Sequence, residues 1–367
     1  MGKGALYTKY RPVQLSEIVG QDNTVKTLTQ ASKSNKFSHA YVLVGNKGCG
    51  KTTTARILAN LMTCEDPKDG VLCGECMACK NVPNGTVIDV VELDGAANGN
   101  VENIQNLIEG ALWNPSYLKK KVYIIDECHQ LSSKAISALL KIVEEPPEYL
   151  SFIFCTTEPH KIPDTILSRA QKFVYRKLSL KDIVGRLRYI ADQEKINITD
   201  GALFYIAKIS RGCLRDAIVP LEQIHTMAGD KNIEEEHIHK YFGLPDRQGI
   251  IKICKAMVDG DISLVLDQAN DMAMATADVE SIAYEVSEAF RTILLLKGQG
   301  TSSKWIELPD HEVEQLNSIG ESFNLGQLYR LSKLFSTLKK ELNYSINERL
   351  VLESTLVHCT ALLRKKQ

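Results

Sequence analysis

The sequence predicts an α/β domain built on a parallel sheet with helices on both faces, followed by two all-helical regions. Three observations carry this. Apolar, strand-like runs alternate with helically spaced apolar residues as far as about residue 177. Beyond about Leu178 no strand-like run recurs. Between the first strand candidate and the first long helical pattern lies Gly45-Asn46-Lys47-Gly48-Cys49-Gly50-Lys51-Thr52, a complete G-x-x-x-x-G-K-T phosphate loop.

The elements follow in chain order. The apolar run His39-Ala40-Tyr41-Val42-Leu43-Val44 reads as a buried strand over 41–44, and further strands are expected over 87–92, 121–125 and 151–155. A helix follows the phosphate loop, because Ile57, Leu58, Leu61 and Met62 recur at helical spacing within 53–62. Others are expected over 101–113 and 132–143; Ser132-Ser133 offers an N-cap to the latter and Pro146-Pro147 stops it. Residues 181–194, 200–209 and 214–228 read as a small three-helix unit, with Thr199 or Asp200 as a cap and Gly212 as a break. Gly243-Leu244-Pro245-Asp246 marks a turn-rich junction, after which amphipathic helices run to the end, strongest over 325–342 and 347–363. The expected domains are therefore 1–177, 178–242 and 243–367. There is no internal repeat, heptad array or low-complexity tract.

Composition bounds the function classes. At 367 residues, 44% hydrophobic and 24% charged, the chain has the make-up of an ordinary globular protein. No stretch reaches the roughly 18 to 20 continuous apolar residues of a membrane span, and the start Met1-Gly2-Lys3-Gly4-Ala5 lacks a signal-peptide core, so a cytoplasmic protein without membrane partners is expected. A net charge of −1 provides no global field for nucleic acid, leaving any DNA contact to local patches or to an assembly.

Three constellations carry chemistry. In the phosphate loop, backbone N–H groups of 45–50 can surround phosphate oxygens, Lys51 can reach the β and γ phosphates, Thr52 can ligate Mg²⁺, and Thr53 opens the helix beside them. Downstream, Val122-Tyr123-Ile124-Ile125 delivers Asp126 and Glu127 to the end of a buried strand, where Asp126 can hold Mg²⁺ through its water shell and Glu127 can polarise an attacking water. Cys64, Cys73, Cys76 and Cys79 form a C-x8-C-x2-C-x2-C cluster suited to one structural Zn²⁺, with disulfides or unrelated free thiols as the competing readings. The other six of the ten cysteines are scattered singly and read as small core residues.

In this order the motifs resemble the AAA+ ATPases, and specifically the gamma/tau subunits of the bacterial DNA polymerase III clamp loader. The resemblance rests on Lys9-Tyr10-Arg11-Pro12, Ile18-Val19-Gly20-Gln21, His39-Ala40-Tyr41, the phosphate loop, the four-cysteine insert, Glu92-Leu93-Asp94, Asp126-Glu127-Cys128-His129 and Ala138-Leu139-Leu140-Lys141. Thr156-Thr157-Glu158-Pro159, Ile166-Leu167-Ser168-Arg169 and Gly212-Cys213-Leu214-Arg215-Asp216 complete it. The resemblance implies an ATP-dependent clamp loader with a helical lid and an oligomerisation collar. Its partners would be delta- and delta-prime-type subunits in a pentamer, the sliding clamp and primer-template DNA. It implies an adenine pocket from Tyr10, Arg11, Pro12, Val19 and Gly20, a sensor at Thr157 with Thr156 as its neighbouring alternative, a lid sensor at Arg215, and an arginine finger at Arg169 acting on a neighbouring subunit's ATP. Ala170 stands where the family usually has Cys. Residues 98–105, aligned with a DNA-facing helix, are neutral to acidic here, which shifts phosphate contacts to Lys141 or to partner subunits. His129 is read as a supporting or core residue. The chain resembles the short form of the family, without the longer tail. Two other readings share most of these motifs: a stator that holds nucleotide without hydrolysing it, and another AAA+ DNA machine such as a Holliday-junction motor. A zinc-mediated nucleic-acid binder fits less well, because the knuckle lacks basic and aromatic residues.

Overall fold

The computed structural model describes residues 5–364 apart from 69, 230, 276–277, 301–304, 307 and 309. The chain divides into two compact units, one through Lys231 and the other from Asn232. In the first, the helices are Leu6–Lys9 (α1), Asp22–Lys33 (α2), Lys51–Thr63 (α3), Met77–Asn81 (α4), Gly95–Asn98 (α5), Val101–Ala111 (α6), Ser133–Glu144 (α7), Asp164–Leu167 (α8), Leu180–Glu194 (α9), Asp200–Ile209 (α10) and Leu214–Ala228 (α11). Its strands are Ala40–Val44 (β1), Val90–Asp94 (β2), Lys121–Asp126 (β3), Leu150–Thr156 (β4) and Gln171–Val174 (β5). They form a five-stranded parallel sheet in the order β2-β3-β4-β1-β5.

The sheet is parallel because its three central strands are apolar on both faces, and such strands are stable only when helices cover both. β1 and β4 are buried along their whole length, and β3 up to its last residue. Alternate side chains feed two cores: Val42, Val44, Ile125, Phe152 and Phe154 pack with residues of α6 and α7, whereas Tyr41, Leu43, Ile124 and Ile153 pack with residues of α3. Register aligns the carboxyl ends, pairing Val44 with Thr156 and Asp94 with Asp126. The phosphate loop, Asp126 and Thr156 therefore emerge along one rim, where open parallel sheets place their ligands.

Two features differ from the sequence expectation. The second strand begins at Val90 rather than at residue 87, because the buried Asp89 carboxylate accepts backbone N–H groups of Ser116, Tyr117 and Leu118 at 2.8, 2.7 and 2.9 Å and so belongs to a turn. β5 is an additional strand beside β1, with Phe173 as its buried residue, so it shows little of the apolar pattern by which the other strands are recognised. The remaining expected helices of this unit form within a residue or two of their bounds, and Ser132 and Thr199 cap α7 and α10. The first compact unit runs through Lys231 and so holds α9 to α11 together with the sheet. Part of the reason is that the N-terminal segment fastens to α9 and α11: Leu6 N donates to Glu222 at 3.1 Å and Arg186 donates to the Tyr10 carbonyl at 2.9 Å.

The second unit is helical throughout its described residues, with Glu235–Phe242 (α12), Arg247–Asp259 (α13), Ile262–Ala275 (α14), Val279–Gln299 (α15), Asp310–Glu321 (α16), Leu325–Tyr344 (α17) and Glu348–Arg364 (α18). Its core joins α13 to α18 around Phe290, which stacks on Phe335 with ring centroids 5.5 Å apart and meets Phe323 edge-on at 5.7 Å. Beside it Arg247 is buried, with its guanidinium 2.6 Å from Glu285 and 2.8 Å from Glu312. No helix of the described residues is long and apolar enough to cross a membrane. Arg247→Ala, which removes the cation between two largely buried carboxylates, is expected to lower stability by about 3 to 5 kcal/mol. Chemical denaturation checks this, and a loss below about 1 kcal/mol would show that the pair carries little of the fold.

Candidate functional site

The first unit holds a cleft at the carboxyl rim of the sheet, lined by the phosphate loop from Lys47, by Thr52, Thr53, Asp126 and Glu127, and by an opposite wall from the N-terminal segment and α11. The loop leaves β1 at Gly45, whose N–H donates to Thr156 O at 3.1 Å. Gly48 and Gly50 have φ of +70° and +102°, left-handed conformations that let the loop fold back over the start of α3. The first-turn N–H groups of α3 have no partner within the helix and carry its positive dipole end, which suits an anion. Lys51 is mostly buried, and its Nζ donates to the carbonyls of Gly45 and Asn46 at 2.8 and 2.9 Å. Cys49 Sγ donates to the same Asn46 carbonyl, and burial raises its thiol pKa, so it acts as a packing group.

Facing Lys51 are the two carboxylates expected from the sequence. Thr52 Oγ1 donates to Asp126 Oδ2 at 2.7 Å, joining the loop of β1 to the end of β3. Asp126 Oδ1 in turn accepts the Glu127 N–H at 3.0 Å. Glu127 has a φ of +45°, sparsely populated for a residue with a side chain, and this turns its carboxylate into the cleft. Thr157 Oγ1 donates to Glu127 Oε2 at 3.3 Å, whereas Thr156 Oγ1 contacts His129 Nδ1 at 3.2 Å, so Thr157 is the threonine beside the carboxylate.

The other wall consists of Tyr7, Tyr10, Arg11, Pro12, Glu17, Ile18 and Val19 together with Leu178, Leu214, Arg215 and Ile218. Flat and apolar groups predominate, as a planar ring system requires. Tyr10 OH bonds to Glu194, and burial with that bond pushes the phenol up to about 12. Arg215 lies over the Tyr7 ring, 5.0 Å from its centroid. α11 also touches the loop directly, with Leu214 N donating to Gly48 O at 3.3 Å. Of the expected adenine-pocket residues, Gly20 is not part of the wall: its carbonyl accepts Arg176 Nε at 2.9 Å, and Leu178 packs over it. Tyr7 and Ile18 line the wall without having been assigned to the pocket from the sequence. Tyr7 stands three positions before Tyr10, one helical turn away, and that spacing was the available signal. Arg169 lies outside this cleft, exposed, with its guanidinium 3.1 Å from Glu144 Oε1 and donating to Thr165 O at 2.9 Å.

The four-cysteine cluster closes around the far end of α3. Cys64 follows the last residue of that helix, and Cys76 Sγ accepts the Cys79 N–H at the start of α4. The ligand atoms lie within 4.8 Å of one another, with separations of 3.6 Å for Cys64–Cys79, 3.8 Å for Cys73–Cys79 and 3.9 Å for Cys64–Cys76. A disulfide would need about 2.0 Å, whereas a tetrahedron of thiolates with Zn–S of about 2.3 Å has edges near 3.8 Å. The sulfur set therefore fits a structural zinc ion. Backbone N–H groups of Cys76 and Glu75 hold the Cys73 thiol down at about 6, toward the ligating thiolate form, while burial raises Cys64 and Cys79.

At Gly48 a Cβ would overlap Cys213 Sγ, while at Gly50 a Cβ would meet Ile18 at 4.0 Å and nothing nearer. Gly48→Ala is expected to destabilise the first unit by roughly 1 to 3 kcal/mol through overpacking on top of backbone strain, and Gly50→Ala by the strain of about 1 to 2 kcal/mol. Chemical unfolding of the two variants checks the order; equal losses would mean that α11 does not press on the loop.

Residues 20–179 match the family described as DNA polymerase III, delta subunit, and residues 233–366 match that described as DNA polymerase III subunits gamma and tau domain III. The chain is 35% identical to DNA polymerase III subunit tau of Bacillus subtilis, over 97% of this chain and 63% of that protein. It is 30% identical to DNA polymerase III subunit gamma of Buchnera aphidicola, over 98% of this chain and 99% of that protein. It thus spans 44 to 63% of the longer tau and gamma/tau relatives from Bacillus, Mycoplasma genitalium and Haemophilus influenzae. Among solved structures, the Holliday junction branch migration motor RuvB of Thermotoga maritima shares the AAA+ fold, with a TM-score of 0.50 at 21% identity over 68% of this chain and 80% of that one. With a phosphate loop on β1, paired carboxylates after β3 and a helical second unit matched to domain III, the chain belongs to the DNA polymerase III gamma/tau family.

Proposed function

We propose that this chain is an ATPase subunit of a clamp loader, using ATP binding and hydrolysis to place a sliding clamp on primed DNA in a pentamer with delta- and delta-prime-type subunits. The observation that carries the reading is the convergence of Lys51, the Thr52–Asp126 bond, Glu127 and Arg215 on one cleft. The adenine would lie against Tyr10, Arg11, Pro12 and Val19, and the phosphates against the N–H groups of the loop and α3. Lys51 would exchange its two carbonyl partners for phosphate oxygens. Thr52 and Asp126 would hold Mg²⁺, which supplies neutralising charge on the phosphates. Glu127 would take up the proton of the attacking water, and Thr157 would orient it. Arg215 would add positive charge from α9 to α11, the helical part of the first unit, acting as a lid; its neighbour Leu214 is bonded to Gly48, so lid position and loop position change together. Arg169 would act on the ATP of an adjacent subunit, and its exposed pair with Glu144 costs little to exchange. The second unit would form the collar, and the cysteine cluster would hold Zn²⁺ as a brace for α3.

Steady-state ATP hydrolysis by the chain assembled with its companion subunits tests this, with and without primer-template DNA and clamp. DNA and clamp together are expected to raise the rate, and Lys51→Ala or Arg169→Ala to remove about 10³-fold or more of it. ATP binding without turnover would replace the reading by a stator; equal stimulation by DNA without clamp or partners would point to another AAA+ machine. For the cysteine cluster, elemental analysis of the purified chain should find about one zinc per chain, and Cys76→Ser should abolish that stoichiometry. Zinc-free protein of unchanged stability would leave the four thiols without a metal role.

A further inference from the structure

We infer that His129 is a positioning residue for Glu127, holding that carboxylate in the cleft by bridging it to Glu158. His129 lies in the short 3₁₀ turn Cys128–Gln130 that follows β3, and its side chain is only 6% exposed. Its Nδ1 is 3.4 Å from Glu127 Oε2, and its Nε2 is 3.2 Å from Glu158 Oε1. Both ring nitrogens thus lie within ion-pair distance of carboxylate oxygens, which accept hydrogen bonds and donate none when ionised, so a ring that links the two carboxylates does so as an imidazolium, with a proton on each nitrogen. The far end of the bridge is itself anchored. Glu158 lies 3.0 Å from Lys161 Nζ, and its backbone N–H donates to Thr156 Oγ1 at 3.0 Å, the hydroxyl that also meets His129 Nδ1. Glu127 is gripped on the same oxygen, Oε2, by Thr157.

The bridge has a physical reason. Glu127 leaves the sheet through a left-handed residue with about a third of its side chain in solvent, so strand geometry does not fix where its carboxylate points. A general base acts only from within hydrogen-bond reach of the proton it takes, and a buried imidazole on one side with a threonine on the other confines it there. This inference rests on the ATPase reading above.

The test uses the chain assembled with companion subunits, clamp and primer-template DNA, measuring single-turnover ATP hydrolysis and ATP affinity separately. His129→Ala should slow hydrolysis about 10- to 100-fold, the range for lost orienting partners, with ATP affinity within about twofold. Asn places an N–H near the Nδ1 position and Gln near Nε2, so His129→Asn should recover most of the rate and His129→Gln should not. A wild-type rate in His129→Ala, a parallel loss of ATP affinity, or equal recovery by Asn and Gln would overturn the proposal. A second readout needs no turnover: the ring ¹⁵N shifts of His129 in the full chain should move on Glu127→Gln and on Glu158→Gln. Shifts that ignore Glu127→Gln overturn the bridge, whether or not the wild type hydrolyses ATP; moving shifts with a wild type that binds ATP and never turns it over would keep the bridge and remove the ATPase reading.

Discussion

Burial of the three central strands on both faces is the constraint from which the rest follows. β1, β3 and β4 can satisfy their backbone only by pairing, and their side chains only by packing under helices on both sides. Parallel pairing then brings three carboxyl ends to one rim, and the order β3-β4-β1 inserts the threonines of β4 between the loop of β1 and the carboxylates of β3. The Thr52–Asp126 bond spans that gap. A slip of one residue in β3 would turn Asp126 to the opposite face, so the cross-strand stacking of Tyr123 on Phe152, which favours the observed register, also protects the site.

Around that rigid rim the N-terminal segment is held by polar bonds as well as by the packing of Leu15 and Ile18 into the sheet core. Leu6 to Glu222, Arg186 to the Tyr10 carbonyl and Lys9 to Glu194 tie the N-terminal segment to α9 and α11. Lys9 and Tyr10 hold the Glu194 carboxyl below its ordinary range, so this clasp is formed in the ionised state. A wall fastened by such bonds can shift as a body at modest cost, while the sheet beneath cannot.

Much of the molecule was legible in the sequence. The phosphate loop, the Asp126-Glu127 pair and the four cysteines were recognisable because each is a local pattern whose spacing already encodes its geometry. The helices of both units were legible because their apolar residues recur at 3.6-residue spacing. What escaped had no local signature. β5 is an edge strand with Phe173 as its buried residue, Tyr7 is a wall residue only because α1 docks beside α11, and Gly20 turns away because Arg176 claims its carbonyl. Asp89 reads as part of a strand until the distant N–H groups of residues 116–118 are known to converge on it.

By itself, then, the sequence determined the kinds of element, the order of the chemical groups and the clustering of the four cysteines, since these depend on residues near one another along the chain. Only the tertiary structure decided which groups meet: that Thr157 rather than Thr156 faces Glu127, that His129 joins two carboxylates thirty-one positions apart (127 to 158), and that Cys213 presses on Gly48. The reason is that such contacts are set by strand order and register, and those are chosen by the burial of whole faces rather than by any short run of residues.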